Sequence, residues 1–342
     1  MSRAKKKRVK IVLYTLPPVP NSYSFSPFGL KAESFLRINN LSYEICYTTN
    51  FGNNGTIPYV RLFDCSDSDD CSGDTASAEY EEIPDSNEMI VRLLKDPWFE
   101  TPCNDGLTKE QAAISHACLR MLEEHTAQIG FYFRYGLHMP EFCAATQLRE
   151  RLYAGDESRM SDFMFFMFRK FMPKGNMKRA AGRGFLRYGS KEALWSMSFD
   201  DLQALENLLQ SKGSDGDSAV YFFGRTSPSV LDCAAFGHLS QFLYIAIDFP
   251  QKKYLTEHCP GLIRFMDNFK ETFFPDWELK CQKQPNDYLR KDNPQRKKKI
   301  RKLQVKLGGV LLTALAVVGL VYFVGTGVPF PSFLVRDYTC RK

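Results

Sequence analysis

The chain lacks a CxxC pair, and none of its ten cysteines joins a histidine at zinc-ligand spacing. The first absence argues against dithiol exchange, the second against a structural zinc site. The five histidines add no metal pair: His116 and His125 are nine apart and do not share a helix face. No secretory leader is expected, because the charged start runs directly into an apolar strand too short for a signal-peptide core. The cysteines then read as reduced thiols, mostly buried, in a cytosol-facing protein. Two basic runs, 3–10 and 296–306, contain no acid and hold six and seven positive charges. Since the whole chain is only +6, the remainder is −7. A globular part with that balance has no general attraction for nucleic acid, and none is expected to bind it.

What is present is the composition of a folded protein, 44% hydrophobic and 14% aromatic, in 342 residues that suffice for two domains and appendages. The stretch LGGVLLTALAVVGLVYFVGTGV, residues 307–328, is uncharged and long enough to cross a bilayer. RKKKIRK just before it supplies the positive cytosolic flank. The expectation is a tail anchor with a cytosolic body and a short tail, 329–342, behind a basic linker, 281–306. Basic residues on both sides favour the mitochondrial outer membrane over the endoplasmic reticulum.

VKIVLYT reads as a first strand, followed by a Pro-rich loop and a helix opening at Ser26-Pro27-Phe28. Ser26 is a good N-cap, and Pro27 fits the first helical position. LSYEICY gives a second strand, parallel to the first across the helix. GTIPYVRLFD places Pro58 at the entry of a third strand, where a cis Ile57-Pro58 bond would expose the Ile57 backbone to an extended peptide. EYEEIPDSNEMIVRLLK ends a fourth strand and starts a helix at Asp85 and Ser86, whose free N–H groups favour a carboxylate. Between the third and fourth strands lies an acidic, Ser-rich insert, 64–80. Cys65 and Cys71 within it are read as solvated, with no metal.

From Leu107 to Asp276 the patterns are helical. LTKEQAAISHACLRMLEEHTAQIGFYFRYG carries Ala113, Cys118, Met121, Leu122 and Ile129 on one stripe, with Arg120 and Glu124 placed to pair. FDDLQALENLL is a second amphipathic helix. FMFFMFRKFMPKGNMKRAAGRGF, residues 163–185, has the look of a membrane-surface or nucleic-acid patch. The simpler expectation is a buried helix followed by a basic loop. Ser229 and Asp232 form a capping box before an apolar helix, a structural role for both. His238 within that helix is expected to be a satisfied core histidine.

The N-terminal elements, with Ser26-Pro27-Phe28, Ile57-Pro58 and Asp85-Ser86, resemble the thioredoxin-like domain of glutathione transferases. SPFGLKAESFLRINNLSYE, FGHL and CPGLIRFMDNFKETFFPDW are similar to the failed axon connections/metaxin group of that superfamily, and the likeness runs from residue 9 to 277. It implies an α/β thioredoxin-like domain (9–98) and an all-α domain (99–280), to which the sequence adds the C-terminal transmembrane helix. By the same resemblance Ser26 faces the glutathione sulfur as the candidate catalytic group. Ile57 and Pro58 would hold the cysteinyl unit, and Asp85 and Ser86 the γ-glutamyl end. Glutathione is the only cofactor implied. The function implied is that of a membrane-tethered interaction or adaptor protein, in axon development or at an organelle surface, with unidentified protein partners and a dimer left open. The alternative is a glutathione-dependent transferase in which Ser26 stabilises the thiolate.

Overall fold

The computed structural model describes residues 9–64, 79–104, 106–153, 159–187, 190–211 and 221–283. They belong to one unit, Met1–Leu289. A second unit, Arg290–Lys342, lies outside the described residues, and with it the expected span at 307–328. The insert residues 65–78 also lie outside them. Among the described residues no helix is long and apolar enough to cross a membrane.

Strand β1 (Val9–Thr15) is rich in β-branched residues and buries Ile11, Val12 and Leu13 in succession. Helix α1 (Pro27–Ile38) returns the chain to β2 (Tyr43–Tyr47), which pairs parallel with β1. The connection from β2 to β3 (Tyr59–Asp64) is made of turns, and β3 runs antiparallel to β1. Strand β4 (Tyr80–Pro84) completes a four-stranded sheet of order β2-β1-β3-β4, and α2 (Ser86–Lys95) follows. The Ile57-Pro58 bond is cis, as the sequence predicts.

The helical half opens with α3 (Lys109–Met121), capped by Thr108 and Gln111 in a reciprocal box. It continues without a break through wider turns, Leu122–Thr126 and Tyr132–Leu137, on either side of α4 (Ala127–Phe131). The expected apolar face holds only in part. Leu122 and Ile129 are buried, Ala113 is exposed, and Arg120 pairs with Glu123 rather than Glu124. Glu124 pairs instead with Arg183.

After α5 (Met139–Thr146) and α6 (Leu148–Tyr153) comes α7 (Arg159–Gly182), which corrects a second expectation. The segment 163–185 is not a buried helix with a basic loop. Residues 163–182 belong to one helix that carries Pro173 inside it, and Phe163, Phe166 and Phe171 are exposed. Helix α8 (Lys191–Gln210) contains the amphipathic FDDLQALENLL.

Helix α9 (Val230–Leu243) is largely apolar and buried on every side, with Asp232, His238, Ser240 and Gln241 enclosed among its apolar residues. Helices α10 (Pro250–His258), α11 (Pro260–Phe273) and α12 (Trp277–Gln282) pack around it. Phe236 of α9 stacks on Phe269 and Phe274, with Trp277 against its edge. The buried carboxylate of Glu206 accepts the N–H groups of Gly261 (2.8 Å) and Leu262 (2.7 Å), tying α8 to the start of α11. A single apolar core runs from Ile11 and Leu36 through Phe236 to Trp277, joining the sheet to the helices.

Candidate functional site

Three features of the α/β half fit the predicted thiol site. The first is the amino end of α1. Ser26 is the N-cap, and the Gly29 N–H donates to its Oγ at 3.2 Å. Its own N–H donates to Ser24 Oγ at 3.0 Å, and the residue is 6% exposed. The helix start is pressed against the end of β1: a Cβ on Gly29 would lie 2.2 Å from Thr15 Oγ1. The hydroxyl oxygen of Ser26 therefore serves the cap first.

The second feature is the cis bond at the mouth of β3. Pro58 is buried and Ile57 half-buried. Among the described residues the Ile57 backbone makes no hydrogen bond, so its N–H and C=O are available to an extended ligand.

The third is the start of α2. Asp85 adopts φ 44°, a conformation L-residues rarely take. It is held there by its carboxylate, which accepts the N–H groups of Asn87 (2.6 Å) and Glu88 (3.1 Å). Ser86 is buried, and its Oγ has no partner among the described residues. An orphaned buried hydroxyl at a helix amino terminus suits a ligand carboxylate, as the γ-glutamyl end of glutathione would supply.

A polar network that the sequence reading missed lies beside this start. Lys31 of α1, fully buried, donates to Asn87 Oδ1 at 2.6 Å and pairs with Glu123. Asn87 Nδ2 and Arg120 Nη2 both donate to the other carboxylate oxygen, at 2.9 and 2.7 Å. Burial opposes the Glu123 charge, but the Lys31 ammonium outweighs it and holds the carboxyl below its usual range. The signal in the sequence was a lysine four residues from both Pro27 and Phe35, on the apolar side of α1.

His238 faces the same region from α9, edge-on to Phe28 at 5.2 Å between centroids. It is a core histidine but not a satisfied one: neither ring nitrogen has a partner among the described residues. Burial drives its pKa down to about 3, so the ring is neutral. A second missed chain reaches the Ser26 loop. Buried Arg134 donates to Gln241 Oε1 at 2.8 Å, and Gln241 Nε2 donates to the Ser24 carbonyl at 3.0 Å.

The capping box is observed as expected. Ser229 N–H and Oγ donate to Asp232 Oδ2 at 2.7 and 2.6 Å, while the Phe222 N–H donates to Oδ1 at 3.0 Å. Burial raises the Asp232 carboxyl to about 6. Its role is to join the turn before α9 to the helix. Of the expected thiols, Cys103, Cys233, Cys259 and Cys281 are free and buried, while Cys46, Cys118 and Cys143 are free and half-buried. His125 binds Asp201 at 2.6 Å, and among the described residues no cluster of potential ligands could hold a metal.

A sheet with a cis-proline strand entry, a serine-capped first helix and an Asp-Ser helix start, continued by a helical half around a buried capping box, is the architecture of the glutathione S-transferase superfamily, and the chain belongs to it. The family profile "Glutathione S-transferase N-terminal domain" matches residues 27–142, and "Glutathione S-transferase, C-terminal domain" matches residues 199–269. Within the superfamily the chain falls in the failed axon connections/metaxin-like group. It is 31% identical over 297 residues to Failed axon connections of Drosophila melanogaster, covering 84% of this chain and 64% of that protein. It thus spans just under two thirds of that relative's length.

Similar solved structures include a glutathione S-transferase of Ceriporiopsis subvermispora in complex with glutathione. That likeness has 17% identity and a TM-score of 0.47, covering 76% of this chain and 96% of the other. A glutathione transferase from Phanerochaete chrysosporium shows 14% identity and a TM-score of 0.46, covering 77% and 98%.

Proposed function

We propose that this protein is a membrane-tethered interaction protein built on the glutathione transferase fold, with residues 307–328 as its single span and the body on the cytosolic side. The observation that carries the reading is the state of Ser26. The one side chain placed as a catalytic group is sealed into the α1 cap and 6% exposed. The kinship with Failed axon connections supports an adaptor role in axon development or at an organelle surface. The basic residues on both sides of 307–328 favour the mitochondrial outer membrane over the endoplasmic reticulum.

A second reading, a glutathione-dependent transferase, draws on the unbonded Ile57 backbone and the orphaned Ser86 hydroxyl. Ile57, Pro58, Asp85 and Ser86 would hold the tripeptide. Ser26 would turn its remaining O–H toward the thiolate.

One set of measurements separates the two. The full chain and Ser26→Ala are assayed for conjugation of glutathione to a model electrophile, and for a melting shift with millimolar glutathione. The interaction reading expects no Ser26-dependent turnover and a loss of about 1 kcal/mol of stability from the missing cap. Turnover that Ser26→Ala abolishes would overturn it. The tether is tested by imaging tagged protein beside mitochondrial and reticulum markers, with and without 307–328. Unchanged localisation after the deletion would refute it.

A further inference from the structure

The exposed face of α7 has a composition unlike the rest of the body. Its 24 residues are ordered as one helix, yet among them only Ser161, Asn176 and Ala180 are buried. At 3.6 residues per turn, Phe163, Phe166, Lys170 and Lys174 fall on one outward side, with Phe171 and Lys178 at its margin. The three phenylalanines are 51%, 59% and 51% exposed. Single exposed apolar residues are ordinary, but three large rings on one helix face are a patch with a use.

The charge on this element is one-sided. From Arg159 to Arg187 the sequence holds eight basic residues and one acid, Asp162. That acid is neutralised by Arg149. Lys170, Lys174 and Lys178 pair with no acid among the described residues. Lys170 instead leans over Phe166, and Lys174 over Phe171, each ammonium 5.9 Å from the ring centre. The segment carries +7 inside residues 11–295, whose net charge is −9, so the remainder of that body is −16. Rings interleaved with lysines on an otherwise acidic protein complement a surface that is apolar below and negative above.

We infer that α7 is a membrane-surface helix, docking on a bilayer that contains anionic lipid. Phe163, Phe166 and Phe171 enter the headgroup–acyl boundary while Lys170, Lys174 and Lys178 reach back to the phosphates. The inference does not depend on residues 307–328. A tether would raise the local lipid concentration, but the α7 face makes its own contact.

The test uses the full chain carrying Phe166→Trp, with vesicles of phosphatidylcholine alone or mixed with phosphatidylserine, each made with and without brominated acyl chains. Emission of the protein without Phe166→Trp is subtracted as background. The expected result is a blue-shifted emission at position 166, quenched by bromine in anionic vesicles far more than in neutral ones. Each lysine beside an anionic surface strengthens binding about fivefold. Lys170→Gln/Lys174→Gln/Lys178→Gln should therefore reduce the quenching to the neutral-vesicle level, with an unchanged melting temperature confirming the fold. Equal quenching with and without phosphatidylserine overturns the proposal. A blue shift insensitive to bromine also overturns it, and assigns the face to a protein surface or to residues 307–328 folded onto it. Tether and docking fail separately: a chain that does not insert its tail still floats with anionic vesicles and shows the quenching.

Discussion

His238 is enclosed by α1 and α9, with no hydrogen bond to either ring nitrogen among the described residues. Its pKa, about 3 against an ordinary 6.5, has a direct consequence for stability. The unfolded chain takes up a proton below about 6.5 that the folded chain refuses until about 3. The stability this site contributes is therefore complete above 6.5 and is lost as pH falls toward 3, by up to about 1.4 kcal/mol per pH unit. Asp232 has the opposite sign. Its folded pKa is raised from 3.8 to about 6, so its contribution is complete below 3.8 and is lost as pH rises through 6. A wild-type pH profile mixes the two slopes, and a variant separates them. His238→Gln is expected to lower stability at neutral pH yet lose less between about pH 7 and pH 5 than wild type, since its only removed titration is the histidine's. Denaturant melts of both proteins across that range check this, and parallel profiles would show that His238 is not the group responsible.

At the scale of elements, α9 packs backbone to backbone against α1 at Gly237. A Cβ on Gly237 would lie 2.6 Å from the Pro27 carbonyl oxygen and 2.9 Å from the Lys31 nitrogen. Both obstacles are backbone, so the helices themselves must move. Gly237→Ala gains up to about 1 kcal/mol of helix propensity. It loses about 1–3 kcal/mol to overpacking, and we expect a net loss near 1 kcal/mol by urea denaturation. A more stable variant would mean that α1 has slack this packing denies. Such element-level features show what the sequence could reveal. The β-branched first strand, the Ser26 cap, the proline at β3 and the Ser229/Asp232 box are local signals, and each is found where it was expected. The wide turns after Met121 and the exposure of α7 were not legible. Burial depends on which neighbours arrive, so periodicity alone could not place Ala113 or Phe163. The Ser86 site was half legible: its helix start could be read, but its missing partner is a property of the packed interior.

At the scale of the whole molecule, ion pairs join the α/β half to the helices at two junctions among the described residues. In one, Arg37 binds Glu33 at 2.9 Å and Asp276 at 2.9 Å, and stacks over Phe274 at 4.4 Å. In the other, Lys31 and Glu123 form a pair fully enclosed between α1 and the turn after α3, braced by Asn87 and Arg120. Such a pair adds little against apolar residues of the same size, because both ions lose their hydration, but half of it is costly. Lys31→Met leaves the Glu123 charge in the interior with only Arg120 and Asn87 to answer it. The expected cost is about 3–5 kcal/mol, and Glu123→Met, which strands Lys31, should lie in the same range. In the double variant neither buried ion is stranded and only the partly exposed Arg120 loses its acid, so its cost should be well below the sum of the two, a coupling of about 3 kcal/mol or more. Additive costs in a double-mutant cycle would mean that the two side chains act independently. Because Lys31 also holds Asn87, one residue past Ser86, any glutathione-dependent melting shift of the wild type should weaken in both single variants. The junction between the halves and the candidate site would then be linked through one lysine.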